Sequence, residues 1–144
     1  AKLQAYGPLT LDPATMVFHY GQEVFEGMKA YVQPDGGVSL FRPEANAKRF
    51  AKSAARIALP EMPVDFFVQT IEALVKADRE WVPKKIGESL YLRPFMIATE
   101  VGLGVRPSNH ATYNRSSLMP PGDDESSQNQ RNSSFFPAHT QKAL

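Results

Sequence analysis

The 144-residue chain has the length of one domain, and its formal net charge at pH 7 is +1. Nucleic-acid and membrane partners require a concentrated basic face, so this balance argues against both. The absence of cysteine excludes disulfides and thiolate catalysis, and we expect a cytoplasmic protein. No apolar run approaches the ~18 residues of a membrane span, and no signal peptide is visible. Because the chain begins at Ala1 rather than Met, we expect it to start partway into a longer protein.

The first forty residues predict a short helix followed by a β-hairpin. Asp12 and Pro13 suit the start of a helix over residues 14–19. An extended segment follows, with apolar side chains between residues 24 and 31. The sequence QPDGG at residues 33–37 supplies the turn, because glycine and proline favour it, and residues 38–41 alternate as a half-buried strand.

The next segments predict two helices and a buried strand. Apolar residues recur at spacings of three and four over residues 43–58 and again from residue 63 to about 80. Residues 89–99 are dense in large apolar side chains, which indicates a buried strand. The order β-β-α-α-β therefore predicts an α+β fold, in which two helices cover one face of a small mixed or antiparallel sheet.

From Ser108 onward the composition changes. The segment is rich in Ser, Asn, Gln and Pro, and it has no period of 2 or 3.6 residues. Such a composition cannot bury enough apolar surface to offset the entropy of ordering. We therefore divide the chain into a folded domain over residues 1–107 and a low-complexity, irregular C-terminal tail over residues 108–144, which we expect to be disordered.

Two motifs carry a family resemblance. The first is HY..E.FEG.KAY from His19, continued by LFRP..N..RF, and the second is SLYLRP from Ser89, followed by Glu100 and LGV. Over residues 6–107 the chain resembles the N-terminal small domain of the branched-chain amino acid aminotransferases, which are pyridoxal phosphate (PLP) enzymes of fold-type IV. In that family another hydrophobic strand and a larger second domain follow. A shifted reading frame or a truncated gene would produce the departure at Ser108.

The resemblance implies a cofactor contact and three substrate contacts. Arg49 would bind the PLP phosphate, since a guanidinium pairs two phosphate oxygens and stays charged. Tyr91 and Arg93 are two residues apart on a predicted strand, so they share a face. By resemblance, Tyr91 helps to hold the substrate α-carboxylate and Arg93 receives the γ-carboxylate of glutamate. Phe25 would contact the aliphatic side chain of the substrate.

Further residues match positions that, in the resembled family, reach into the pocket of the neighbouring subunit. They are Tyr20, Leu103 and Val105. The resemblance therefore implies a homodimer with shared sites. His19 has no Cys or second His at ligand spacing, so we predict no metal site.

The chain carries only part of the site that PLP chemistry requires. The Schiff-base lysine, the acidic group at the pyridine nitrogen and the phosphate-binding backbone cup lie in the family's second domain. No lysine here has the surrounding motif of the Schiff-base residue, so we predict no catalytic residue in this chain and no activity of the chain alone.

The leading interpretation is a PLP-dependent transaminase of branched-chain amino acid biosynthesis. It would move the amino group of leucine, isoleucine or valine to 2-oxoglutarate by a ping-pong route. One alternative keeps the fold: a D-amino acid aminotransferase or an aminodeoxychorismate lyase, against which Arg93 argues because it suits a glutamate-accepting pocket. The other alternative is a non-catalytic domain that dimerises or binds a partner.

Overall fold

The computed structural model describes residues 5, 7–85, 87–118 and 138–141. In chain order the helices and strands are α1 (Met16–Tyr20), β1 (Glu23–Phe25), β2 (Met28–Val32), β3 (Val38–Leu40), α2 (Pro43–Arg56), α3 (Val64–Ala77), a 3-10 turn (Arg79–Trp81), β4 (Leu90–Ala98), β5 (His110–Leu118) and β6 (Ala138–Gln141).

The strands form one antiparallel sheet in the order β3-β2-β4-β5-β6, and β1 pairs with β4 beyond the end of β2. Both β1 and β2 pair with β4, and the register of this pairing continues from β1 into β2 without a shift. The two strands are separated opposite Pro94, which has no N–H to donate across the ladder. The Glu26 N–H donates to the Pro94 carbonyl at 2.9 Å, and no bond can return from the proline.

Helices α2 and α3 pack together on one face of the sheet. At the centre of this core, Phe50 of α2 lies 5.2 Å from Phe67 of α3 and 5.6 Å from Tyr113 of β5, measured between ring centroids. Burial raises the pKa of Tyr113 to about 12. The strands contribute the alternate residues Val24, Met28, Ala30, Leu90, Leu92 and Met96 to the same core. The predicted α+β fold, with two helices on one face of the sheet, is confirmed.

Both long helices form where their periodicity predicts them. Pro43 occupies the first turn of α2, where its missing N–H is no loss, and Glu44 complements the helix dipole there. The chain leaves α3 through the 3-10 turn, so the regular α-helix ends at Ala77 rather than near residue 80. Helix α1 begins two residues later than predicted, because Asp12 accepts the Ala14 N–H at 2.7 Å in a turn that precedes the helix.

The expectation of an irregular chain from Ser108 is wrong for residues 110–118. These residues form β5, which pairs with β4 over eight positions, from Tyr91 opposite Leu118 to Ala98 opposite Ala111. The long antiparallel edge of β4 holds this polar segment in place, because every backbone group of a central strand needs a partner. The expectation is also wrong for residues 138–141, which form β6 and pair with β5. The tail residues 119–137 and 142–144 lie outside the described residues, so the prediction of disorder stands there as a prediction. Among the described helices, none combines the length and hydrophobicity needed to cross a lipid bilayer.

Candidate functional site

The face of the sheet opposite the core carries three of the predicted substrate residues. Along β4, Leu90 and Leu92 point to the helices, so Tyr91 and Arg93 point the other way and are partly exposed. Phe25 of β1 joins them from the neighbouring strand, and its side chain is 58% exposed. We name Phe25, Tyr91 and Arg93 the Arg93 cluster.

Arg93 makes the contacts that unite this cluster. Its Nε and Nη2 donate to the Tyr91 hydroxyl at 3.0 and 2.6 Å. Its guanidinium carbon lies 4.4 Å from the centroid of the Phe25 ring and 5.2 Å from that of the Tyr91 ring, within the range of a cation–π interaction. The cation is thus held between an apolar ring and a hydroxyl group. The structure brings these three residues together, and their roles in substrate binding stay predictions.

Gly27 provides the space for the Tyr91 hydroxyl. A Cβ atom built on Gly27 would lie 2.6 Å from Tyr91 Oη and 3.3 Å from its Cζ. Any side chain at this position would therefore displace the tyrosine that holds Arg93. The backbone of Gly27 does not have a positive φ, so the requirement is for space rather than for unusual backbone geometry.

Arg49 lies on the opposite, helix-facing side of β1 and β2. It extends from α2 to Glu26, and its Nε and Nη2 donate to the two carboxylate oxygens at 2.6 Å each. Asn46 Nδ2 donates to the same carboxylate at 2.9 Å. The hydrogen bond to Glu26 and the negative charge of Glu26 both raise the pKa of Arg49 above its ordinary value. Arg49 is therefore a fixed cation, and it belongs to a separate group from the Arg93 cluster.

The predicted intersubunit residues also lie together, at the end of α1 and in the loop after β4. The Tyr20 hydroxyl donates to the Leu103 carbonyl. Leu103 is 65% exposed and Val105 is 91% exposed. Their intersubunit role stays a prediction.

Glu100 stabilises the same loop, which spans residues 99–109, through hydrogen bonds. Its carboxylate accepts hydrogen bonds from Arg106 and, at 2.6 Å, from the Asn109 backbone N–H. The Arg106 hydrogen bond, followed by the Asn109 bond, lowers the pKa of Glu100 to about 2. The loop is also hydrogen-bonded to the segment just before α1, since the Gly102 N–H donates to the Ala14 carbonyl at 2.9 Å.

The pairing of Glu26 with Arg49 was not predicted from the sequence. A signal was present, because Glu26 sits between Val24 and Met28 in the alternation of core-facing residues, where a carboxylate needs a buried partner. Within the described residues, no group of three His, Asp or Glu side chains could hold a metal ion.

The chain is similar to curated aminotransferases over most of its length. It is 63% identical over 113 residues to the probable branched-chain-amino-acid aminotransferase of Streptomyces coelicolor, a match that covers 78% of this chain and 31% of the relative. It is 56% identical to the branched-chain-amino-acid aminotransferase of Mycolicibacterium smegmatis and 49% identical to branched-chain-amino-acid transaminase 1 of Bacillus subtilis, over 78% of this chain in both cases. The chain spans about a third of the length of these relatives. No protein-family model matches it.

A solved structure supports the fold. The crystal structure of the Escherichia coli branched-chain amino acid aminotransferase superposes with a TM-score of 0.57 at 20% identity, over 92% of this chain and 35% of the other. The sequence relatives and the solved structure with this fold carry the same family name. The chain is therefore a homologue of the branched-chain-amino-acid aminotransferases and matches their N-terminal part.

Proposed function

We propose that this chain forms the substrate-binding side of a PLP-dependent branched-chain aminotransferase. The enzyme would transfer the amino group of leucine, isoleucine or valine to 2-oxoglutarate in branched-chain amino acid metabolism. The observation that carries the proposal is the Arg93 cluster, which places a cation against the exposed ring of Phe25 on the sheet face away from the helices. A pocket that accepts a branched apolar side chain and a carboxylate in turn needs both surfaces.

The hydrogen bonds of the cluster suit this alternation. A phenol has two acceptor lone pairs and one O–H donor. Arg93 donates twice to the Tyr91 hydroxyl, so the O–H proton remains available for a substrate α-carboxylate. Phe25 offers its exposed ring to an aliphatic side chain, while the Arg93 guanidinium can pair with the γ-carboxylate of glutamate.

Arg49 suits the phosphate of PLP, the cofactor we propose. Its side chain is 64% exposed, and only its Nε and Nη2 edge is engaged by Glu26. The remaining donors can reach a phosphate oxygen. When bound, PLP supplies an electron-withdrawing ring that carries the amino group between the two substrates. The Schiff-base lysine would come from a part of the enzyme beyond this chain.

We further propose that the complete enzyme is a cytoplasmic homodimer. Tyr20, Leu103 and Val105 form an exposed edge whose apolar side chains suit contact with the neighbouring subunit's pocket. This edge would then complete the apolar wall that Phe25 begins in the other protomer.

A graft tests the proposal. Residues 6–107 of this chain would replace the matching segment of the Streptomyces coelicolor relative, which supplies the rest of the enzyme. We expect the graft to convert leucine and 2-oxoglutarate to 4-methyl-2-oxopentanoate and glutamate. A folded graft without this activity would contradict the proposal. Transamination of D-alanine instead would favour the D-amino acid aminotransferase alternative, and a stable dimer without transamination would favour a non-catalytic domain.

A further inference from the structure

Glu26 is a buried carboxylate on the core side of the sheet. Its side chain is only 6% exposed. Removing an ionised carboxylate from water is costly unless charge-assisted hydrogen bonds replace those of the solvent. Both of its oxygens have such bonds: Oε1 accepts from Arg49, and Oε2 accepts from Arg49 and Asn46.

Arg49 and Glu26 differ in exposure, and this difference indicates that part of the Arg49 guanidinium faces the solvent. The Arg49 side chain is 64% exposed although the carboxylate that binds it is buried. The two parallel bonds fix the plane of the guanidinium and use two of its five N–H donors. Within the described part of the chain, Arg49 makes no other hydrogen bond. Its three remaining N–H donors are therefore directed away from the core in a fixed fork.

Glu26 can affect anion binding by Arg49 in two ways, through its charge and through the orientation that it gives the guanidinium. Glu26 neutralises Arg49, so the pair attracts an anion less than an arginine alone would. What the pair adds is a preset orientation, which lowers the entropy lost when an oxyanion binds. A surface arginine such as Arg56 has a flexible side chain of three methylene groups and no comparable anchor among the described residues.

We propose that Glu26 is a positioning residue that holds the Arg49 guanidinium in one orientation for a phosphate group. Asn46 supports it by holding Oε2 from the adjacent turn of α2. The inference rests on the proposed function, because the phosphate is taken to be that of PLP. It adds the residue that determines how the phosphate-binding arginine is presented.

The effect of one substitution on the affinity for phosphate tests this inference. Inorganic phosphate and PLP are titrated into the isotope-labelled 144-residue chain, and the side-chain Nε–H signal of Arg49 is followed by NMR. Glu26→Gln keeps the shape of the side chain but removes its negative charge from the pair with Arg49. We expect phosphate to bind about tenfold more weakly, by analogy with the lower end of the effect seen for groups that orient metal ligands. Glu44→Gln, an exposed glutamate in the first turn of α2, is the matched control and should bind phosphate as the original chain does.

Every outcome bears on the inference. Unchanged or tighter phosphate binding by Glu26→Gln would make Glu26 a mere counter-ion and overturn the positioning role, while leaving Arg49 as the phosphate contact. An Arg49 signal that phosphate does not shift in the original chain would overturn the inference at its base, and the leucine activity of the graft would still test the proposed function separately. If Glu26→Gln fails to fold by circular dichroism, Asn46→Ala decides. It removes the Asn46 bonds to Glu26 and to the Gly27 carbonyl but leaves the Arg49–Glu26 pair, so it should weaken phosphate binding by a smaller factor.

Discussion

At the scale of single residues, Gly27 limits where Tyr91 can lie. Gly27→Ala would bring a Cβ atom to 2.6 Å from the Tyr91 hydroxyl, so the ring must move and its hydrogen bonds from Arg93 would be disturbed. The displaced atom is the end of a side chain, and we therefore expect a loss of only about 1 kcal/mol in the free energy of unfolding. The larger effect should be on the Arg93 Nε–H signal in NMR spectra, which should lose its protection from exchange with water.

Gly102→Ala is the control for this change. A Cβ atom there would meet nothing within 4 Å, and its φ is not positive. The Arg93 signal should be the same in this variant as in the original chain. Retention of that signal in Gly27→Ala as well would mean that Gly27 does not determine the position of Tyr91.

The second prediction at this scale concerns Arg93 in the graft. Arg93→Gln removes the cation but leaves Phe25 in place, so we expect the KM for 2-oxoglutarate to rise about tenfold or more, the value of a hydrogen bond to a charged group. The KM for leucine should change much less. Arg56→Gln, at an exposed position of α2, should change neither. Equal rises for both substrates would contradict a role for Arg93 in selecting the carboxylate.

At the scale of the structural elements, the loop after β4 should be sensitive to acid. The pKa of Glu100 is lowered from 4.5 to about 2, so its stabilising contribution is complete above about pH 4.5. That contribution is lost as the pH falls through the folded-state pKa near 2. We expect the Asn109 amide, which donates to Glu100, to lose its protection from hydrogen exchange over this window.

Glu100→Gln tests the same loop without a change in pH. The variant should show the weakened protection of Asn109 already at pH 7, because Arg106 no longer meets a carboxylate. Glu61→Gln alters an exposed glutamate between α2 and α3 and should leave the loop unchanged. An acid-sensitive Asn109 amide in Glu100→Gln would show that another group is responsible.

Strand β5 carries a charged side chain into the core. Arg115 is 0% exposed, and burial lowers its pKa. The Arg115 guanidinium carbon lies 5.1 Å from the centroid of the buried Tyr113 ring. Removing one member of a buried charge interaction is destabilising, so Arg115→Met should lower the free energy of unfolding in urea by about 3 kcal/mol. The exposed Arg56→Met should leave it nearly unchanged. An unchanged or higher free energy of unfolding in Arg115→Met would show that the buried guanidinium does not stabilise the fold.

At the scale of the whole molecule, periodicity and motifs predicted much of the fold and of the site. The apolar spacing placed α2 and α3, and the alternation in SLYLRP placed Tyr91 and Arg93 on one face of β4, as the structure confirms. Strand β5 was missed because its polar sequence has no period, and its place depends on backbone pairing with β4. Glu26 was missed because its partner Arg49 is 23 residues away, and the packing of α2 on the sheet brings the two together.

We propose that this chain provides the substrate-binding side of a transaminase site without its reactive lysine. The most direct test is to add PLP to the purified 144-residue chain, reduce with borohydride, and locate labelled lysines by mass spectrometry. We predict no site-specific pyridoxyl-lysine and no leucine-dependent change in the absorbance of the mixture. Labelling of one lysine in proportion to protein, together with a leucine-dependent conversion to the pyridoxamine form, would contradict the account.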